Sequence, residues 1–93
     1  MKRQVYQSPL FERQKKYLSK KEIEHLDNEI KLIQGKPEIG EAKRGDLAGV
    51  CVHKFKVGRK LFLLAYELNE SEILLLALGP HENFYRDLKR YLK

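Results

Sequence analysis

The chain has 93 residues, of which 42% are hydrophobic, and a formal net charge of +6. That length and apolar content suit one folded domain, residues 1–93, with one modest core rather than a disordered tail. No run of about 18 apolar residues occurs, so no membrane span is expected, and Met1-Lys2-Arg3-Gln4-Val5 lacks the apolar stretch of a secretory signal.

Gln4-Val5-Tyr6-Gln7 reads as an opening strand. Ser8-Pro9 then announces a helix, because serine caps free amides and proline suits the first helical turn. This helix is expected from Pro9 to Leu18, with apolar contacts from Leu10, Phe11, Tyr17 and Leu18. Ser19-Lys20-Lys21-Glu22 has the spacing of a capping box. It opens a second helix to about Gln34, whose Ile23, Leu26, Ile30 and Ile33 make one apolar stripe. Gly35-Lys36-Pro37 stops it. With so short a joint, an antiparallel helical hairpin is the natural packing. His25 falls among Glu22, Glu24 and Glu29 and is read as solvated.

Pro37 to Gly49 is polar and is expected to be a loop. Gly49 to Lys56 is a strand rich in β-formers, Val57-Gly58 a turn and Lys60 to Leu68 the next strand. Cys51 is the single cysteine, so no internal disulfide can form, and a reducing, cytoplasmic setting is expected. Nothing around it would activate a thiolate, and it reads as a buried structural thiol. Asn69-Glu70-Ser71 turns the chain into Ile73 to Leu78, an apolar strand without alternation, expected to be covered on both faces. Short turns make these three strands an antiparallel meander. A last helix is expected from Glu82 to Leu92, with Phe84, Leu88, Tyr91 and Leu92 on one side and Glu82 paired to Arg86. The fold class is α+β, in the order β-α-α-β-β-β-α.

No zinc spacing, phosphate loop or Ser-His-Asp elbow is present, and no metal or cofactor is expected. The positive charge suits a polyanion or an acidic protein. Lys54 and Lys56 share one face of their strand, next to Arg59 and Lys60; a phosphate between them would relieve their mutual repulsion. His81 follows the last strand and precedes Tyr85 by one helical turn. Histidine exchanges protons near neutrality, and tyrosine can stack on a base. Cleavage of RNA by its own 2′-oxygen needs a base, an acid and cations around the phosphorane. Those residue types suit it. The alternatives at the same positions are a polar helix start, a packed aromatic and a solvated lysine edge.

Gly45-Asp46-Leu47-Ala48-Gly49 leading into a basic hairpin, and Gly79-x-His81-x-x-x-Tyr85 at the end of the sheet, resemble the RelE/ParE superfamily of toxins from toxin–antitoxin pairs. The resemblance spans nearly the whole chain. It implies a type II toxin, and, from its RelE-like members, a ribosome-dependent endoribonuclease cutting mRNA in the A site. The His81/Tyr85 pair combines a YafQ-like histidine with a RelE-like tyrosine. By resemblance, His81, Tyr85, Lys54 and Arg59 are the catalytic candidates. Lys54, Lys56, Arg59, Lys60 and Arg86 would hold RNA, with His53 and Glu82 as additional candidates. Gly58-Arg59-Lys60 departs from the family's glycine–aromatic–arginine turn. A cognate antitoxin, the ribosome and mRNA are the implied partners. The same fold hosts ParE proteins that poison DNA gyrase, so gyrase inhibition and a non-catalytic interaction module are the alternatives.

Overall fold

The computed structural model describes residues 2–93. Strand β1 is Gln4–Gln7. Ser8 starts helix α1, Pro9–Lys15: its hydroxyl oxygen accepts the Phe11 N–H at 3.0 Å. α1 ends short of the expected Leu18, in a turn that leaves Tyr17 exposed. Helix α2, Lys20–Gly35, opens on a complete capping box, with Ser19 and Glu22 exchanging bonds of 2.8 and 3.2 Å. Leu26 and Ile33 are buried on its inner face. The remaining elements are β2, Glu41–Ala42; β3, Val50–Val57; β4, Lys60–Leu68; β5, Glu72–Pro80; and α3, Phe84–Leu92.

The five strands form one sheet in the order β1-β5-β4-β3-β2. β3, β4 and β5 make the expected antiparallel meander. Gly58-Arg59 closes the first hairpin, with Gly58 at φ 62° in the first central position, where a two-residue turn of type II′ calls for glycine. β1, however, pairs with β5 in parallel, so the sheet is mixed rather than wholly antiparallel. The reason is the crossover. The chain leaves β1 through two helices and returns by the meander, and such a route allows two strands to run side by side in one direction. The segment expected to be a plain loop contains the short edge strand β2, antiparallel to β3.

Along β5 the register with β4 slips between Ala65 and Tyr66: Ala65 faces Ala77, but Tyr66 faces Leu75. Leu76 is the extra residue of a β-bulge. Its carbonyl accepts the Ser8 hydroxyl at 2.7 Å, and the Leu78 N–H donates to the Gln14 side chain at 2.6 Å. Thus α1 satisfies the edge of β5 where β1 has already ended. Ile73, Leu75 and Leu78 pack on one side of β5 and Leu74, Leu76 and Ala77 on the other, so coverage of both faces is why Ile73 to Leu78 reads as a continuous apolar run.

The sheet separates two cores. On one face Phe11, Leu26 and Ile33 from the first two helices pack on Phe55, Phe62, Leu64, Tyr66, Ile73 and Leu75. Each such side chain contributes roughly 1.5–3 kcal/mol by leaving water. α1 rests chiefly on β5, and α2 on the Pro37–Ile39 turn and then β3, so neither helix has the other as its main partner. On the other face Phe84 and Leu88 of α3 pack on Leu47, Val50, Val52, Leu63, Ala65 and Leu76. α3 starts at Phe84, two residues later than expected, because Asn83 precedes it in a left-handed conformation at φ 64°. Asparagine tolerates that region better than most residues.

Candidate nucleic-acid interface

Strand parity decides which cations share a surface. In β3, Val50, Val52, Lys54 and Lys56 point to the α3 face, while Cys51, His53, Phe55 and Val57 point to the α1/α2 face. Val50 and Val52 are buried beneath α3, but Lys54 and Lys56 are exposed. No ion pair among the described residues engages either lysine. Lys54 stands opposite Leu63, and Leu63 opposite Gly79. Two strand spacings, about 10 Å, therefore separate the Lys54 and Gly79 backbones. His81 leaves the sheet two residues after Gly79.

His81 is exposed and meets Tyr85 edge to face, with ring centroids 5.9 Å apart and planes at 78°. Tyr85 also touches Phe84 edge to face at 5.3 Å, which anchors its ring to the core. The two expected partners are therefore in contact, although His81 lies in the bend before α3 and not on the helix.

A third cation joins them from the unexpected strand. Glu41 pairs with Val52, and the Lys43 N–H reaches the Val50 carbonyl at 2.9 Å, so both residues extend the Lys54 face. The Lys43 ammonium lies 5.2 Å from the Tyr85 ring centroid, a cation–π distance. It also donates to Glu41 Oε1 at 2.6 Å. Its pKa is raised, first by Glu41 and then by Tyr85. The Glu41 carboxyl is held below its ordinary range chiefly by Lys43, with the charge of Lys54 contributing. Sequence reasoning missed this pair because a two-residue strand has no periodicity. The alternation Glu41-x-Lys43 was the one available signal.

Other candidates are placed elsewhere. His53 is on the α1/α2 face, where its Nε2 lies 2.6 Å from Glu29 Oε1, so it is no second imidazole beside His81. Lys60 shares that face through its pairing with Val57, and its ammonium donates to Glu22 at 3.2 Å. The capping bond from the Ser19 N–H above all, and then Lys60, holds the Glu22 carboxyl below its ordinary range. Arg59 sits exposed at the hairpin tip, and Arg86 is exposed beside Asp87, 3.6 Å away. Glu82 and Lys60 line a cleft of about 470 Å³ with Tyr17, Leu18, Phe62 and Pro80; Lys43, Lys54, Lys56, His81 and Tyr85 lie outside it. Burial raises the pKa of the half-buried Cys51 thiol, which opposes a nucleophilic role. Among the described residues no three His, Cys, Asp or Glu side chains gather within reach of one metal ion. None of the described helices is long and apolar enough to cross a membrane.

Comparison with solved structures finds the same fold in E. coli toxin RelE, in the free state and with two arginines changed to alanine. The TM-score is 0.76 at 14% identity, over 100% of both chains. A conserved hypothetical protein of Helicobacter pylori is similar at TM-score 0.54 and 21% identity, over 87% of this chain and 96% of that one. No curated protein matches the sequence. The family described as the ParE-like toxin of type II bacterial toxin–antitoxin systems matches residues 5–89, with both faces of the sheet inside that span. The chain thus belongs to the ParE-like toxins of type II toxin–antitoxin systems, a family whose members are paired with a cognate antitoxin.

Proposed function

We propose that this toxin is an endoribonuclease that cuts mRNA on the ribosome. The observation that carries the reading is the contact between exposed His81 and Tyr85 beside the bare lysines of β3. In the proposed reaction a base removes the proton of a ribose 2′-OH. The 2′-oxygen attacks the adjacent phosphorus, the bond from phosphorus to the 5′-oxygen breaks, and an acid protonates that oxygen. His81 carries one of these proton transfers. Tyr85 stacks on or orients a base next to the scissile bond. Lys54 and Lys56 stabilise the negative charge that builds on the phosphorane oxygens. Arg59 and Arg86, at the rim, hold flanking phosphates. An open face rather than a deep cleft suits a substrate presented by a large assembly.

The ParE-like match supports a second reading, inhibition of DNA gyrase by binding alone. One experiment separates the two. The toxin is induced without its antitoxin, and growth, mRNA 5′ ends and plasmid supercoiling are scored together. Growth arrest with new mRNA ends inside codons, abolished by His81→Ala in a variant that keeps its melting temperature, supports the nuclease. Arrest that persists in His81→Ala, with supercoiling lost and mRNA intact, supports gyrase inhibition and overturns the nuclease reading.

A further inference from the structure

We infer that Lys43 and Lys54 form a phosphate subsite beside Tyr85 whose resting occupant is the carboxylate of Glu41. The inference rests on the RNA-binding reading of this face and adds to it a named subsite and an internal competitor. β2 sets Glu41 and Lys43 on the surface that Lys54 already occupies. The Lys43 side chain is only 20% exposed, because Tyr85 covers it, whereas Glu41 is 68% exposed. The cation is thus fixed and the anion is free to leave. An exposed carboxylate gives up little when it swings into water, since solvent screens such pairs. A phosphodiester oxygen can take its place on the same ammonium with an equivalent charge-assisted bond. Glu41 pairs with Val52, between Lys43 opposite Val50 and Lys54 two residues further along the same face of β3, so its carboxylate lies between the two cations. The Tyr85 ring under Lys43 then places the bound phosphate next to an aromatic surface on which its own base can stack. In the absence of a strand, Glu41 neutralises the subsite and lowers its pull on unrelated anions.

The test uses a fluorescein-labelled single-stranded RNA hexamer, 2′-O-methylated throughout so that it cannot be cut, followed by anisotropy across a salt series. The full-length wild type is compared with Glu41→Gln, Lys43→Met, Lys54→Met and the double variant Glu41→Gln/Lys43→Met. Glu24→Gln and Lys31→Met, exposed on α2, repeat the same changes of net charge away from the site. Glu41→Gln is expected to tighten binding about fivefold and Lys43→Met to weaken it about tenfold. Lys43→Met should also reduce the salt slope by about 0.7, the share of one phosphate contact on a single strand. The double variant should lose the gain of Glu41→Gln. The subsite is overturned if Glu41→Gln behaves as Glu24→Gln does, or Lys43→Met as Lys31→Met does, while Lys54→Met still weakens binding. If Lys54→Met is also without effect, or wild type fails to bind at low salt, the RNA-binding reading of the face falls together with the subsite.

Discussion

The two faces of one sheet differ in how much helix covers them. α1 and α2 supply 7 and 16 residues to one face, and α3 supplies 9 to the other. At 1.5 Å per residue α3 is about 14 Å long, whereas a nine-residue strand such as β4 or β5 spans about 30 Å. One helix of that length leaves part of its face bare, and the bare part carries Lys54, Lys56 and His81. On the covered face the corresponding groups are engaged: His53 with Glu29 and Lys60 with Glu22. His53 and Lys60 thus meet carboxylates of α2, whereas Lys54, Lys56 and His81 engage none among the described residues. Residue type alone does not separate a paired cation from an unpaired one; the element packed beside it does.

The sharpest break of that comparison is in activity. His81→Ala should cost at least a hundredfold in toxicity, the usual scale for losing a general acid or base, while His53→Ala should leave toxicity intact. Titrated expression with growth as readout measures both. If His53→Ala abolishes toxicity in a folded protein, the division by faces is wrong.

In stability the order reverses. Phe11→Ala, at a fully buried position on the covered face, should cost about 3–5 kcal/mol in urea unfolding. His53→Ala should cost about 1 kcal/mol through its lost bond to Glu29. His81→Ala should stay within about 0.5 kcal/mol, as surface changes do. A smaller effect concerns acid. The Glu22 carboxyl has a lowered pKa in the folded chain, so its contribution is present above the unfolded value of about 4.5 and is lost as pH falls through the folded one. Glu22→Gln should therefore flatten the fall of melting temperature between pH 5 and pH 3, roughly the window in which carboxylates titrate. Glu41→Gln, on the open face, should not sharpen that fall.

Much of this division was legible in the chain. The capping box at Ser19, the stripe through Leu26 and Ile33, and the parity of Lys54 and Lys56 are local patterns, and each appears where its period puts it. The parity of His53 with Cys51 and Phe55 can also be read in the chain, and it matches the inner face on which His53 lies. What was not legible depends on residues far apart in sequence. The partners of His53 and Lys60 lie 24 and 38 positions away on α2. β2 has two residues, too few for alternation to register, and with it Lys43 went unread. The parallel pairing of β1 depends on the path of the whole chain. The late start of α3 follows from the conformation of Asn83, which the apolar spacing of Phe84 and Leu88 does not report.

The bulge at Leu76 has a consequence for how such a protein can change. Side chains along a strand alternate like heads and tails, and one extra residue reverses the count for all that follow. Leu76 and Ala77 both belong to the α3 side, so every position from Ala77 to the end of β5 has the parity opposite to an unbroken ladder. Deleting Leu76 itself would leave the flanking pairs, Ala65 with Ala77 and Tyr66 with Leu75, on their present faces, whereas deleting any other residue of β5 would turn the exit of the strand, and His81 and Tyr85 with it, toward the wrong side of the sheet. Substitutions across β5 can be absorbed by repacking, but single-residue insertions and deletions outside the bulge cannot. The strand is therefore tolerant of spelling and, away from the bulge, intolerant of length, and variation in length should be confined to Leu76 and to the turns at Gly58-Arg59 and Asn69–Ser71.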